Sequence, residues 1–472
     1  MKLKANLLIF ICLAGILSGF VPTQKDNSER PNIIFIITDD QQVGLLGVEG
    51  NQIAKTPNID RIAEEGMMFT NFFSVTPLCS PSRASFLTGQ YAYKHGVINN
   101  DKIGLDVISH TLMTWPRQLR EAGYHTAFIG KWHMGLDDSR RIGYDRWLSF
   151  KGQGVFIDGV VNDDGIDRQT NGNMTEILNE EAVKYINQDH ENKPFAMILS
   201  HKALHWPLLP SESNENKYAD VAYKPVKVKA EDLEGKPLLT RNVEWIDMHF
   251  TEGVVPEPGE PRRGRGKDPN SVIRDQMRCL NSVDEGVGSI FEALEKNGQL
   301  ENTIIIYTSD NGMLMGQHGE FHQKRWAYEE SLKIPFLIRY PKMIEAGSKS
   351  EQMVLNVDLA PTIYELTDVE PILKMHGLSF LPLLKNENPE WRDAFLAEYF
   401  LEKVARRNPA WKAIRTNDWK YIAYPDEGKE FCELYSLKED LGEEKNLYHH
   451  PEYKEQVAKL EKKLEELMNE IK

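Results

Sequence analysis

The chain predicts an α/β protein: a sheet sandwiched by helices, followed by a smaller C-terminal α+β subdomain of short strands closed by a terminal helix. Three observations lead there. Four separate apolar runs each end in polar residues of catalytic type, amphipathic helical stretches lie between them, and beyond about Gly377 the pattern changes to short strands divided by turn residues.

With 472 residues, 41% hydrophobic and 27% charged, the chain suits a large globular protein rather than a disordered or fibrous one. Lys2 and Lys4 precede the apolar run Leu7 to Phe20, which is too short to span a bilayer and is followed by polar Thr23-Gln24-Lys25-Asp26. Residues 1–20 therefore read as a signal peptide, which implies export to the periplasm or outside, with no membrane span after cleavage. Residues 30–376 are expected to form the larger N-terminal domain and residues 377–472 the C-terminal subdomain.

The first strand is Pro31 to Thr38, an unbroken β-branched run that suits a sheet covered on both faces, and it ends in Asp39-Asp40. Thr56 to Gly66 reads as a short helix, with proline in its first turn and glycine at its end, and Met67 to Phe73 as a second strand. His125 to Gly130 runs into Lys131-Trp132-His133, Phe195 to Leu199 into His201 and His205, and Thr303 to Thr308 into Ser309-Asp310-Asn311-Gly312. In open α/β sheets ligands bind at the C-terminal strand edge, so this convergence says more than any one motif.

Ile273, Met277, Leu280, Val283, Val287, Ile290 and Leu294 recur at helical spacing and read as core. The Pro- and Gly-rich stretch from about Pro207 to Asp268, with its basic cluster Arg262 to Lys267, reads as a long loop. Trp411 to Arg415 and Trp419 to Tyr424 are C-terminal strands. The last helix, with Val457, Leu460, Leu464, Leu467 and Ile471 on one face, packs on them.

Outside the signal segment, which holds Cys12, only Cys79, Cys279 and Cys432 remain, and an odd count argues against a disulfide framework. Cys279 falls in a helical pattern and Cys432 in a strand, so both read as packing residues. The net charge of −15 disfavours nucleic acid and supplies no general attraction for a polyanion, so any anion site must be local.

Asp39, Asp40, Asp310 and Asn311 offer only oxygen donors from two strand ends, which suits calcium or magnesium rather than zinc. Taken singly, each could be a turn or cap residue; together they repel unless a cation lies between them. Arg83, Lys131 and Lys324 add positive charge, and His133 and His205 can move protons. Such a set suits a tetrahedral anion whose ester bond is to be broken. Cys79 is placed at the start of a helix with Arg83 one turn in, an environment that by itself predicts a reactive thiolate.

The run Cys79-Ser80-Pro81-Ser82-Arg83-Ala84-Ser85-Phe86-Leu87-Thr88-Gly89 resembles the signature of the type I sulfatases, within the alkaline-phosphatase-like superfamily. Gly130 to His133, His205-Trp206-Pro207, Ser309 to Gly312 and Lys324 to Glu329 resemble further blocks of that family in order, across essentially the whole chain after the signal segment. The resemblance implies an alkaline-phosphatase-like α/β domain with a C-terminal antiparallel sheet. It also implies a formylglycine (3-oxoalanine) made from Cys79 by a formylglycine-generating or anaerobic sulfatase-maturating enzyme. One Ca2+ would be held by Asp39, Asp40, Asp310 and Asn311 with residue 79 nearby. Arg83 and Lys131 would orient the hydrated aldehyde, His205 or Lys324 would assist the leaving alcohol, and His133 would help release sulfate. Lys131, His205 and Lys324 would also bind substrate, with His201 the weaker alternative to His205.

The substrate implied is a sulfated carbohydrate, a polysaccharide or its oligosaccharides, whether algal such as ulvan or carrageenan, or a glycosaminoglycan. Trp206, Trp326 and His322 are candidate sugar contacts. Two other readings stand beside it: a phosphomonoesterase or phosphodiesterase of the same superfamily, and a non-catalytic protein that binds sulfated glycans.

Overall fold

The computed structural model describes residues 30–100, 104–222, 233–240, 269–403, 405 and 408–471. The expected signal segment and the basic cluster Arg262 to Lys267 lie outside these residues. Among them no helix is long and apolar enough to cross a membrane.

A ten-stranded mixed sheet forms the centre. Its order is Ser348–Ser350, Met67–Phe69, Phe336–Arg339, Thr303–Ser309, Asn32–Thr38, Phe195–Ser200, His125–Gly130, Arg146–Ser149, Val160–Asp163 and Ile166–Gln169. The four runs that end in polar residues are the four adjacent strands starting at Thr303, Asn32, Phe195 and His125, and all four are parallel. Pairing of Thr38 with Ser309, of Ile37 with Ser200 and of Gly130 with Ser200 brings their C-terminal ends level.

Both faces of the sheet are covered, which is why the first strand has no polar alternation. Ile34 and Ile36 pack on one side with the long Pro269–Lys296 helix and the Met174–Ile186 helix. Ile33, Phe35 and Ile37 pack on the other with Phe86, Leu119 and Ile363. Cys279 is buried in the long helix, whereas Cys432 lies in the turn leading into the Glu433–Ser436 strand rather than within it. The expected strand from Met67 to Phe73 divides into Met67–Phe69 and Phe72–Phe73, the second pairing with Val354–Leu355 instead.

The C-terminal part is a four-stranded antiparallel sheet of Ala394–Tyr399, Trp411–Thr416, Trp419–Ala423 and Glu433–Ser436, with the Lys454–Glu470 helix packed on it through Val457, Leu460 and Leu464. Its core is continuous with Phe73, Leu78, Trp326, Tyr328 and Leu332 of the larger part. The small sheet thereby buttresses the segments that carry residues 79 and 324.

Candidate active site

The helix Cys79–Thr88 starts the site. Leu78 is its N-cap in extended conformation, Pro81 fits the first turn where its missing N–H costs nothing, and Gly89 closes it in the left-handed region at φ 68°. All ten of its residues are buried, so it has no exposed face. Its polar side chains instead tie it to the surrounding loops. Ser80 Oγ donates to the His133 carbonyl (2.6 Å), the Ser80 N–H to Asn100 Oδ1 (3.1 Å), and Ser82 Oγ accepts from Asn356 Nδ2 (3.0 Å).

Three carboxylates converge beneath this helix. Asp39, Asp40 and Asp310 are buried, and one oxygen of each lies within 4.8 Å of the others. The Asp310 N–H donates to the Thr38 carbonyl (3.1 Å) and the Asp40 N–H to Asp310 Oδ1 (3.1 Å), so the two strand ends are pinned together by backbone groups. Asn311 Nδ2 donates to Asp40 Oδ1 (2.8 Å). Asp40 (φ 60°) and His133 (φ 59°) both occupy the left-handed region, which a non-glycine residue keeps only where its surroundings hold it there.

Buried cations face each carboxylate. Lys131 pairs with Asp39, and Lys324 with Asp40. Arg83 Nε reaches Asp310 Oδ2 at 2.9 Å and its Nη2 reaches Asp39 Oδ2 at 3.4 Å, while its Nη1 donates to Ser200 Oγ at 2.5 Å. Lys324 Nζ also lies 2.6 Å from Cys79 Sγ and 3.4 Å from Asn311 Oδ1. Burial alone would raise Asp39, but Lys131, His205, Arg83 and Lys324 together hold it well below the usual carboxylate range. Asp310 goes the other way, to about 6, because burial and the charge of Asp39 outweigh Arg83.

Cys79 does not become the reactive thiolate that a helix N-terminus predicts. Burial, then the charge of Asp39 3.5 Å away, push its thiol up to about 12 against the opposing pull of Lys324 and Lys131. Arg83, expected to favour the thiolate, is engaged with Asp310. As encoded, residue 79 is a poor nucleophile at neutral pH.

The histidines separate by position. His205 is partly exposed, with Nε2 3.9 Å from Asp40 Oδ2 and Nδ1 2.6 Å from the Trp206 carbonyl, and burial lowers it to about 3. The Nδ1–H tautomer, donating to that carbonyl, leaves Nε2 facing the site. His133 is buried and also lowered, first by burial and then by Lys131. His201 is fully buried, lowered to about 3 by burial and Arg83, and its ring nitrogens have no hydrogen-bond partner among the described residues. Of the aromatic candidates, Trp206 and His322 meet edge to face at 5.7 Å with both half-buried, but Trp326 is 1% exposed in the C-terminal core and is no sugar contact.

Several groups at this edge have no motif to announce them. Gln153 Oε1 accepts from Lys131 Nζ (2.5 Å), and only its glycine-rich setting Gly152-Gln153-Gly154 hints at a loop. Arg325 Nε donates to Glu402 of the C-terminal part, a carboxylate that also accepts from the Asn100 N–H (3.1 Å) and Tyr399 OH (3.0 Å). Nothing in the sequence near Glu402 signals that contact.

Converging oxygen donors ringed by cations, on the ligand edge of a doubly covered sheet, define a hydrolase for esters of a tetrahedral oxyanion. Residues 31–369 match the sulfatase family and residues 316–470 match the region described as N-sulphoglucosamine sulphohydrolase, C-terminal; the chain belongs to the sulfatase family and is a sulfuric ester hydrolase. It is 32% identical to an N-acetylglucosamine-6-O-sulfatase of Bacteroides thetaiotaomicron over 100% of this chain and 92% of that one. It is 29% identical to an ulvan-active sulfatase of Formosa agariphila, covering 95% and 84%. A solved structure of a protein with its substrate D-glucosamine-2-N,6-O-disulfate superposes with a TM-score of 0.83 at 30% identity, covering 94% of this chain and 98% of that one. A phosphonate monoester hydrolase of Agrobacterium radiobacter shares the fold at a TM-score of 0.75 and 22% identity, covering 94% and 96%, so the fold alone does not choose between sulfur and phosphorus. The family works in general with a metal ion and a formylglycine, and the buried acidic group at Asp39, Asp40 and Asp310 is a candidate for the metal.

Proposed function

We propose that the chain releases sulfate from a sulfated carbohydrate using a formylglycine made from Cys79 and one calcium ion held by Asp39, Asp40, Asp310 and Asn311. The observation that carries this is the convergence of three buried carboxylates and an amide on the start of the Cys79 helix. All-oxygen donors suit a hard cation, and carboxylates this close favour one. The encoded thiol, held protonated, supports conversion to another nucleophile over direct thiol chemistry. When present, the hydrated aldehyde would supply the attacking oxygen, and a calcium ion held by those four residues would supply positive charge for the sulfuryl oxygens.

The chain's own groups do the rest. Lys131 and Lys324 hold the negative oxygens of the ester, and Arg83 fixes Asp310 and Asp39 so that the cradle keeps its shape. Lys324, or His205 once Nε2 has taken up a proton, protonates the departing alcohol. His133, whose loop is bound to the helix through Ser80, takes the proton needed to free sulfate. Likeness to an N-acetylglucosamine-6-O-sulfatase and to an ulvan-active sulfatase supports testing a hexosamine 6-sulfate and an algal polysaccharide first. Export to the periplasm or beyond and a maturating enzyme as partner belong to the same reading.

Peptide mass spectrometry of residue 79 in natively matured protein, run beside sulfate release from a panel of sulfated glycans, tests the proposal. An aldehyde mass with sulfate release is expected. Turnover by protein carrying an unmodified thiol would remove formylglycine from the account, and release of phosphate in preference to sulfate would favour the phosphatase reading.

A further inference from the structure

One buried cation at the site is left over. Asp39, Asp40 and Asp310 are matched by Lys131, Lys324 and Arg83, but Lys202, on the turn between the Phe195–Ser200 strand and His205, has no carboxylate within ion-pair distance among the described residues. It is 3% exposed. Its ammonium lies 4.9 Å from the centroid of the Phe156 ring, on the same loop as the Gln153 that binds Lys131. It shares the field of Lys131, Asp39, Asp40 and Cys79, and burial followed by Lys131 lowers its pKa to about 8. The aromatic face offers only weak compensation to a desolvated ammonium. A neutral hydroxyl would not balance the charge, whereas an anion brought in by the substrate would.

We propose that Lys202 is a specificity residue that binds a second anionic group of the substrate, a sulfate or a uronic carboxylate, on the sugar bearing the scissile ester or on its neighbour. This rests on the sulfatase reading of the site. A substrate bearing that group replaces the missing counter-ion, so its binding is favoured over that of the singly charged analogue, and the second anion reaches Lys202 alongside Lys131 and His205.

The test measures kcat/KM for wild type, Lys202→Met and Lys202→Arg on matched pairs from the sugar sulfates that release sulfate in the panel. One pair sets N-sulfated against N-acetylated glucosamine 6-sulfate; the other sets a sulfated disaccharide with an adjacent uronic acid against one with a neutral hexose. The selectivity ratio for the doubly charged partner is expected to fall at least tenfold in Lys202→Met and to be largely retained in Lys202→Arg. The pair in which it falls identifies the group as sulfate or carboxylate. Thermal melts of the same variants show whether the fold survives. Equal losses on both members of each pair would assign Lys202 to the transferring sulfate and overturn the proposal, as would no change in ratio. If wild type releases sulfate from nothing, the parent reading fails and this one with it; if wild type is active and the ratios stay put, this one fails alone.

Discussion

Two clusters of buried charge flank the segment from Lys324 to Glu329, and they are built on opposite plans. At the sheet edge Asp39, Asp40 and Asp310 face one another, with Lys131, Lys324 and Arg83 each pairing with one of them. At the junction with the small sheet a cation bridges two of the carboxylates: Lys420 Nζ sits 2.8 Å from Glu329 and 2.7 Å from Glu443, and Arg415 lies 3.3 Å from Glu329. His318, Glu330 and Glu443 there could in principle hold a metal, but Lys236 Nζ is 3.2 Å from His318 Nδ1 and Lys420 is already on Glu443. Carboxylates separated by cations lock two parts of a fold together. Carboxylates turned toward each other oppose folding, and make sense as a ligand set.

The sharpest way to sharpen that contrast is at residue 79. Cys79→Ala removes the group from which the proposed nucleophile is made and is expected to lower sulfate release by more than about 10^4-fold, with little change in melting temperature. A variant that melts as wild type yet keeps a tenth of the activity would show that the edge is not the reaction centre.

Paired substitutions come next. Asp310→Asn relieves repulsion among the three carboxylates, so metal-free protein should melt no lower than wild type while activity drops on the order of 10^2 to 10^3-fold. Chelator treatment should cut wild-type activity, with recovery on adding calcium. Lys420→Met leaves Glu443 uncompensated and Glu329 with Arg415 alone, and should cost about 3–5 kcal/mol in denaturant unfolding. Finding the stability loss at Asp310 and none at Lys420 would invert the comparison.

The same contrast explains what could be read in advance. The four strands that reach the site were legible because each is an apolar run closed by a polar block, and Asp39, Asp40, Asp310 and Asn311 sit within two residues of strand ends. The Cys79–Thr88 helix has no apolar stripe, being buried on every side, and only its motif marked it. Lys202, Gln153 and Glu402 meet Phe156, Lys131 and Arg325 from distant places in the sequence, and such contacts leave no periodic trace. The thiolate expectation failed for a related reason. A helix N-terminus is a local feature, whereas the burial and Asp39 charge that overrule it come from the tertiary fold.

A smaller effect separates the edge from its support. Glu402 reaches from the small sheet to hold Arg325 and Asn100, whose side chain in turn accepts from the Ser80 N–H. Glu402→Gln keeps the shape but weakens the charged contact, and should raise KM a few-fold with kcat changed less. A fall in kcat with KM unmoved would mean that the small sheet positions the reacting groups rather than the substrate.

The smallest expected effect lies away from both clusters, at His95, and it is read as pH dependence. Ser85 Oγ is 3.1 Å from His95 Nε2, and the Val97 N–H donates to Nδ1 at 3.1 Å, so the ring is held neutral with its proton on Nε2. Burial, reinforced by His376, lowers its pKa to about 3 from an ordinary value near 6.5. Between those values the unfolded chain binds one more proton than the folded one. Stability therefore falls as pH drops from about 6.5 toward 3, by up to about 1.4 kcal/mol per pH unit from this group. His95→Gln can reproduce both hydrogen bonds without titrating, so its unfolding midpoint in denaturant should decline less steeply over that range. An unchanged slope would move the acid sensitivity to the histidines and carboxylates of the sheet edge, where converging charge rather than simple burial would then govern the response to pH.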